Sequence, residues 1–204
     1  MTDVSETIKS RTSANHYDPA RKLSDEALAQ LIELATCAPS AFNAQNWKFV
    51  AVRSDEAQTR LLPLAYNQPK VLDAAVTFIV CGTLQPHLAL PGALQPAVDV
   101  GILDEATFNG WVGAANGMYK DNATLQRDEA VRSAAMAAMT LMLAAQGKGM
   151  VSYPMIGFDA VGVADAFALQ ANEIPVMLLT VGYAAAANWP QKPRKDVAQV
   201  LSFA

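Results

Sequence analysis

The sequence lacks most of the residues and motifs on which side-chain catalysis depends. It has only two histidines and two cysteines in 204 residues. No GxSxG, HExxH or GxxxxGK[ST] motif is present, and no GxGxxG follows a predicted strand. These absences argue against serine-hydrolase, zinc-protease and nucleotide-phosphate chemistry of the common kinds. If the chain is an enzyme, its reactive group is therefore predicted to be an organic cofactor.

Other absences narrow the class of protein. The chain has 15 Lys+Arg and 19 Asp+Glu. Its net charge is therefore negative and gives no electrostatic reason to expect a nucleic-acid partner. The longest near-continuous apolar run, residues 134–145, is shorter than the roughly 17–25 residues of a membrane-spanning helix. Cys37 and Cys81 lie far apart, unlike a disulfide framework or a zinc site, and are expected to be structural thiols. We expect a cytoplasmic protein that binds neither nucleic acid, membrane nor metal, and residues 1–11 do not resemble a secretory signal.

What is present is typical of one packed domain, with 52% hydrophobic and 17% charged residues. Helical periodicity and capping residues predict helices after Ser24 to about Cys37 and over residues 54–62, 104–119 and 128–146. Apolar and β-branched runs predict strands over residues 47–53, 76–81 and 176–181. Residues 85–101 contain three prolines and two glycines and are predicted to form a loop.

Residues 134–145, AAMAAMTLMLAA, are apolar on every side of the predicted helix. Such a helix must be covered all round, at the centre of a domain or at a subunit contact. In a chain this small, dimerisation is expected. The last segment, AAAANWPQKPRK after Gly182, breaks regular structure and cannot form a core alone. It is expected to lie against another surface.

Four clusters of polar residues could carry chemistry. Arg11, Thr12 and Ser13, followed by Asn15, combine a guanidinium with hydroxyl groups that can hold a phosphate. The alternative to a phosphate site is a solvated arginine beside a helix end. In residues 38–47, APSAFNAQNW, amide side chains offer paired donors and acceptors to the edge of a heterocycle. A helix stop followed by a turn is the alternative there.

The other two clusters flank predicted strands. Asn67 and Lys70 place an amide and an ammonium three residues apart, just before the strand at Val76. Residues 152–159, SYPMIGFD, form a proline-directed turn into a new helix, where unpaired N–H groups suit an atom that gains electron density. An N-cap by Asp159 is the structural alternative.

The order of these motifs, RTSxN, APSAFNAQNWKFV, NQPKVLD, QRDEAVRS, PMIGFD and KPR, resembles the nitroreductase family of FMN flavoproteins. It is most similar to the oxygen-insensitive, NAD(P)H-dependent branch. The resemblance extends from about Ile8 to Leu201. It implies a single nitroreductase-like, FMN-binding domain over residues 1–204. The implied fold is α+β, with a central mixed or antiparallel sheet flanked by helices, in an intertwined homodimer.

The resemblance also implies roles for residues at matching positions. Arg11 and Ser13 would hold the FMN phosphate with Lys192 and Arg194, and Asn67 and Lys70 would face the pyrimidine side of the flavin. Residues 154–157 would lie along the flavin, with an N–H directed at N5, and Pro39, Ser40 and Asn43 would reach the flavin of the other subunit. The complete implied cofactor set is Arg11, Thr12, Ser13, Asn15, Pro39, Ser40, Ala41, Asn43, Gln45, Asn67, Lys70, Pro154, Met155, Ile156, Gly157, Lys192 and Arg194, of which Lys70, Ile156 and Gly157 would act in catalysis.

The aromatic residues Phe42, Trp111 and Tyr119 are candidates for stacking a flat acceptor, with helix packing as the alternative for the last two. Two departures from the family are visible. The common Arg-Arg-Ser-x-Arg start is here RTSAN, so the phosphate would depend more on Lys192 and Arg194. Ile156 stands where many relatives carry Glu.

The implied function is ping-pong electron transfer from NADH or NADPH through FMN to nitroaromatics, quinones or similar planar acceptors. Two alternatives remain at this point. The same fold and cofactor could serve another reaction, such as reductive dehalogenation or oxidative flavin chemistry. The protein could also be a flavin-binding module without physiological turnover.

Overall fold

The computed structural model describes residues 3–204, and its centre is a four-stranded antiparallel sheet. The spatial order is β1-β2-β4-β3, so β1 and β3 are the edge strands. The strands are β1 (Trp47–Val52), β2 (Val76–Thr83), β3 (Val151–Met155) and β4 (Glu173–Gly182). The predictions of β1, β2 and β4 from apolar runs are confirmed, as is the α+β class with an antiparallel sheet.

Eight α-helices surround this sheet within residues 3–204. Their bounds are α1 (Val4–Ser10), α2 (Asp25–Ala35), α3 (Asp55–Leu64), α4 (Lys70–Asp73), α5 (Pro86–Asp99), α6 (Glu105–Tyr119), α7 (Ala123–Gly147) and α8 (Ala160–Ala166). Side-chain oxygens of Ser24, Ser54 and Asp104 cap α2, α3 and α6, as expected where free amides need acceptors. Beyond α7, Gly149 adopts a left-handed φ of 75°, as predicted for this helix end.

The two faces of the sheet carry separate cores because side chains alternate along each strand. Phe78 and Val80 of β2 pack with α2 and α7 on one face. Ile79 and Cys81 pack on the other face, in a cluster that also contains Leu61 of α3 and Val163 of α8. Burial raises the pKa of the Cys81 thiol to about 12, which fits the structural role expected for it.

Helix α7 lies directly on β2 at Gly82. A Cβ atom at position 82 would collide with the backbone carbonyl of Ala130, so only glycine permits this approach. The middle of α7 is buried on its sheet side at Ala134, Ala138 and Leu141, whereas Met139 points outward and is partly exposed. Helix α7 begins at Ala123 and is capped by Asn122. The predicted start was Asp128, so the helix is five residues longer at this end than the sequence indicated.

The prediction of a loop over residues 85–101 is wrong. The segment forms α5, in which Pro86 occupies the first turn, where a missing N–H costs nothing. Pro91 and Pro96 lie inside the helix, which tertiary packing tolerates because Leu90 and Leu94 are fully buried against α6 and its neighbours. Burial of this apolar face overrides the local cost of proline.

The turn predicted over residues 152–159 is also only partly correct. Residues through Met155 belong to β3, and the turn begins at Ile156. Pro154 is compatible with a strand here because β3 is at the edge of the sheet, where β4 is its one partner strand among residues 3–204. Asp159 then caps α8 by accepting a hydrogen bond from the Gly162 N–H at 3.0 Å.

After Gly182 the chain leaves the sheet as an extended and largely exposed tail. Its regular structure consists of an isolated antiparallel bridge between Ala184 and Tyr17 and a 3-10 turn at Val197–Gln199. Among residues 3–204, no helix is both long and apolar enough to cross a membrane.

Candidate functional site

The Arg11–Asn15 motif is held beside β3. Arg11 follows the last turn of α1, as expected, and Ser13 forms an isolated parallel bridge with Ser152. The Ala14 N–H donates to the Ser152 carbonyl oxygen at 3.1 Å. This backbone pairing fixes the motif next to the strand that leads into residues 154–157.

Lys70 begins α4 and is buried, with 7% of its surface exposed. Its Nζ donates to Asn15 Oδ1 at 3.2 Å and to Gln68 Oε1 at 3.0 Å. It also lies 3.6 Å from the centroid of the Tyr153 ring. Burial lowers the pKa of Lys70 below its usual value. We call Asn15, Gln68, Lys70 and Tyr153 the Lys70 cluster.

Three chain segments lead into the neighbourhood of this cluster. Asn67 is exposed, in a left-handed conformation with φ 56°, and its N–H donates to the Leu62 carbonyl oxygen. The Asp159 N–H donates to the Leu64 carbonyl oxygen at 2.8 Å. The end of α3, the turn at Asn67 and the segment after β3 are therefore tied together.

The segment after β3 presents its backbone to solvent. Ile156 is 85% exposed, and neither the Ile156 nor the Gly157 N–H donates a hydrogen bond to any residue of the described range 3–204. Met155 is buried in the sheet core at 3% exposure, so only its backbone faces the site. The segment offers two free N–H donors beside the Lys70 cluster.

The C-terminal tail contacts this region through Asn188. The Asn188 Oδ1 accepts from the Asn15 N–H at 2.7 Å, and its Nδ2 donates to the His16 carbonyl oxygen at 2.8 Å. Lys192 lies over the Trp189 ring, and Arg194 donates to the Lys192 carbonyl oxygen. Within residues 3–204, the cations Arg11, Lys192 and Arg194 form no ion pair with a carboxylate.

The amide-rich segment, residues 39–46, forms a separate feature that we call the Ser40 loop. Phe42, Asn43 and Gln45 have left-handed φ values of 54°, 57° and 49°, which cost energy for residues with a Cβ. The Ser40 hydroxyl accepts from the Gln45 N–H at 2.9 Å and closes the loop. Pro39, Asn43 and Gln45 are exposed, whereas Ala41 is half-buried.

The Ser40 loop packs against the pair of helices α5 and α6. Phe42 and Trp111 make an edge-to-face contact with centroids 6.2 Å apart, and Trp111 keeps 38% exposure. Tyr119 is only 2% exposed and packs with Leu90 and Leu94. Burial, with the charge of Glu129, raises the pKa of Tyr119. For Tyr119 the structure favours helix packing over the stacking role, because neither ring face is accessible.

Within the described range, no hydrogen bond or ion pair joins the Ser40 loop to the Lys70 cluster. The predicted residues thus fall into two groups in one chain. Arg11–Asn15, Lys70 and residues 154–157 come together, while Pro39–Gln45 belong to the α5–α6 side.

Three residues that organise the site were not among the sequence candidates. Tyr153 and Gln68 hold Lys70, and Asn188 ties the tail to Asn15. Gln68 lies within the NQPK motif and Tyr153 within SYPMIGFD. Both motifs were identified, but neither indicated that these two side chains contact Lys70. Asn188 offers no local signal because its partner lies 173 residues away.

The comparisons with known proteins agree with this architecture. The sequence model of the nitroreductase family matches residues 8–183. YodC of Bacillus subtilis, named as a predicted NAD(P)H nitroreductase, is 33% identical over 184 residues, covering 90% of this chain and 91% of YodC.

Two solved structures are also similar over nearly their whole length. One is a predicted nitroreductase in complex with FMN from Exiguobacterium sibiricum, with 31% identity, a TM-score of 0.93 and coverage of 100% of this chain and 98% of that one. The other is a predicted NAD(P)H:FMN oxidoreductase from Staphylococcus epidermidis, with 25% identity, a TM-score of 0.92 and coverage of 100% and 97%. The chain therefore belongs to the nitroreductase family.

Proposed function

We propose that the chain is an FMN-dependent oxidoreductase that takes electrons from NADH or NADPH and reduces nitroaromatics, quinones or similar planar acceptors in a ping-pong cycle. It acts in the cytoplasm as a homodimer, each chain being one FMN-binding domain. Bound FMN supplies the atom that accepts and returns a hydride, which no side chain of this protein can do. The roles of the protein's own residues follow from their contacts and charges.

The observation that carries the proposal is the buried charge of Lys70, which forms no ion pair with a carboxylate of residues 3–204. Its partners are two amide oxygens and an aromatic ring, and none of them carries a negative charge. A buried cation without a counterion is costly unless it serves an anion that arrives later. An ammonium in this position stabilises negative charge developing on the pyrimidine side of a reduced flavin. Asn67, three residues away, is exposed beside it and binds the same side.

The donor set also fits the phosphate of FMN. Arg11, Lys192 and Arg194 carry three positive charges without carboxylate partners among residues 3–204. The hydroxyls of Thr12 and Ser13 stand next to Arg11, and Asn15 is held by Asn188 at the point where the tail begins. Cations and hydroxyls are the usual partners of a phosphate dianion. These residues, from both ends of the chain, would hold it.

Residues 154–157 line the flavin through their backbone. Pro154 and Met155 have no side chain suited to polar contact, and the free N–H groups of Ile156 and Gly157 are the donors available to the hydride-accepting nitrogen. A hydrogen bond from a fixed N–H favours electron density on its acceptor. The exposed Ile156 side chain offers no charge at this position.

The Ser40 loop serves the site of the partner chain. In the part of the chain that the structure describes, this loop makes no polar contact with the Lys70 cluster. Its exposed members are Pro39, Asn43 and Gln45, and Ser40 and Ala41 are half-buried. Phe42 and Trp111, already in edge-to-face contact, bring aromatic surface for a planar acceptor. Each complete site therefore needs two chains.

The tail supports the same arrangement. It exposes Val197, Val200, Leu201 and Phe203, at 50–92% of their surface. Among residues 3–204 the outer edge of β1 pairs with no other strand. Beside it, a groove of about 540 Å³ is lined by Glu33 and by the apolar side chains Leu28, Ala29, Ile32, Phe49, Ala51 and Phe78. An exposed apolar tail and a largely apolar groove suit exchange between two copies.

The first test is the visible spectrum of the purified protein after addition of FMN. We expect a bound flavin at about one per chain, and oxidation of NADH or NADPH that accelerates when a quinone is added. Flavin binding without turnover favours the binding module. A protein that takes up no FMN contradicts the proposed function.

A further inference from the structure

The ring of Tyr153 forms the floor beneath the Lys70 ammonium. Tyr153 belongs to β3 and points to the face of the sheet on which Met155 and α3 pack. Lys70 reaches this face from α4, and its Nζ lies 3.6 Å from the ring centroid. At this distance a cation is attracted to the negative face of an aromatic ring, most strongly where water is excluded.

All partners of this ammonium are neutral. It has three N–H donors, and it uses two of them on Asn15 and Gln68. No carboxylate within residues 3–204 lies within ion-pair distance of it. A carboxylate would have cancelled the charge, whereas amide oxygens and a ring face hold the group in place and leave the full positive charge available.

The ring also opposes the effect of burial. Desolvation lowers the pKa of Lys70, because a buried site disfavours the charged form. The attraction between the ring and the cation acts only on the charged form. The tyrosine hydroxyl donates no hydrogen bond within the described residues, so the contact depends on the ring face.

We propose that Tyr153 is a positioning residue, whose ring holds the Lys70 ammonium beside the pyrimidine side of bound FMN and thereby makes the flavin easier to reduce. This inference rests on the proposed function. Without the ring, the flexible lysine side chain would adopt other rotamers, and its charge would act on the reduced flavin from a greater and more variable distance.

The measurement is the two-electron midpoint potential of FMN bound to the protein. For Tyr153→Leu we expect binding of reduced FMN to weaken about tenfold relative to oxidised FMN, which equals a potential about 30 mV more negative. Tyr153→Phe keeps the ring and should retain the parent potential. As a matched control, Phe167→Leu removes the ring under Arg60, a second cation–ring contact that shares no residue with the Lys70 cluster, and should also leave the potential unchanged.

A graded series avoids the risk that Tyr153→Leu fails to fold. Phenylalanine with one, two or three fluorine atoms at position 153 weakens the negative ring face stepwise at nearly constant volume. We expect the potential to fall with each added fluorine while thermal stability changes little.

The outcomes separate the two proposals. A potential that is the same in Tyr153→Leu and in every fluorinated protein overturns the role of Tyr153, although FMN binding still supports the function. An equal fall in Tyr153→Phe and Tyr153→Leu also overturns it, since the hydroxyl would then be responsible. If no variant and no parent protein binds FMN, the proposed function itself fails.

Discussion

The Lys70 cluster and the Ser40 loop contrast in how the chain builds them. The cluster joins residues from three distant parts of the sequence, and its ammonium is buried, donates two hydrogen bonds and lies over one aromatic ring. The Ser40 loop is local, carries three left-handed non-glycine residues and is closed by one hydroxyl. All contacts of the Lys70 ammonium come from its own chain. In the Ser40 loop, three residues adopt unfavourable backbone conformations, and polar side chains of the loop are exposed. Residues in sparsely populated backbone conformations cluster at active sites and ligand-binding segments.

The most severe test of this comparison is to separate the proposed dimer into single chains. Leu201→Asp combined with Phe203→Asp places charges where apolar side chains would be buried, each worth about 1.5–3 kcal/mol. We expect dissociation into monomers, measured by light scattering after gel filtration, and loss of FMN. Val4→Asp, on an exposed apolar residue of α1, is the control and should remain dimeric. A stable dimer in the double variant would contradict the role of the tail.

A second test removes the cations of the tail and keeps the dimer. Lys192→Ala combined with Arg194→Ala should weaken FMN binding by at least about 100-fold, because each charge-assisted contact contributes roughly 1.5–3 kcal/mol. Lys195→Ala changes a neighbouring exposed cation and should have little effect. The measurement is flavin titration, and retention of FMN through gel filtration by the double variant would refute the assignment.

A third test acts on the Lys70 cluster alone. Lys70→Met keeps a flexible, unbranched side chain that is one atom shorter and removes its charge, so we expect flavin reduction by NAD(P)H to slow about 100-fold. FMN affinity should change less than the rate does. Stopped-flow bleaching and flavin titration measure the two quantities. Lys9→Met serves as the surface control, and equal reduction rates in parent and Lys70→Met would rule out the proposed role.

The smallest expected effect concerns backbone strain in the Ser40 loop. Gln45 is exposed with φ 49°, and glycine adopts this conformation without the cost that a Cβ brings. Gln45→Gly should therefore raise the free energy of unfolding by about 1 kcal/mol. Gln45→Ala retains the Cβ and should not do so. Urea denaturation compares them, and identical stabilities of the two variants would mean that the loop is not strained at this residue.

The sequence predicted those parts of the fold that local patterns determine. The runs at Val76 and Val176 are buried on both faces and form β2 and β4, and capping serines begin α2 and α3. Helix α5 was missed because its prolines suggest a loop, while the burial of Leu90 and Leu94 depends on α6. Strand β3 was missed because Pro154 is acceptable only at a sheet edge, and the order of strands is not a local property.

The motifs located the candidate site, but its internal contacts are non-local. The pair Lys70 and Asn15 is separated by 55 residues, and Asn188 and Asn15 by 173. Tyr119 illustrates the same limit in another way. From the sequence, its ring could either stack on a planar acceptor or pack between helices. The ring is buried because α5, α6 and α7 come together around it, which the local sequence does not indicate.

Mixed dimers test the central claim most directly, namely that each site combines the Lys70 cluster of one chain with the Ser40 loop of the other. Lys70→Met disables the first part, and Asn43→Trp obstructs the second with a bulky exposed side chain. Neither variant alone should reduce a quinone at more than a small fraction of the parent rate. When the two are co-expressed with different tags, the purified heterodimer has one site made of unaltered parts, and we predict about half the parent activity per dimer. A heterodimer as inactive as its two parents would show that each chain builds its own site, contrary to this account.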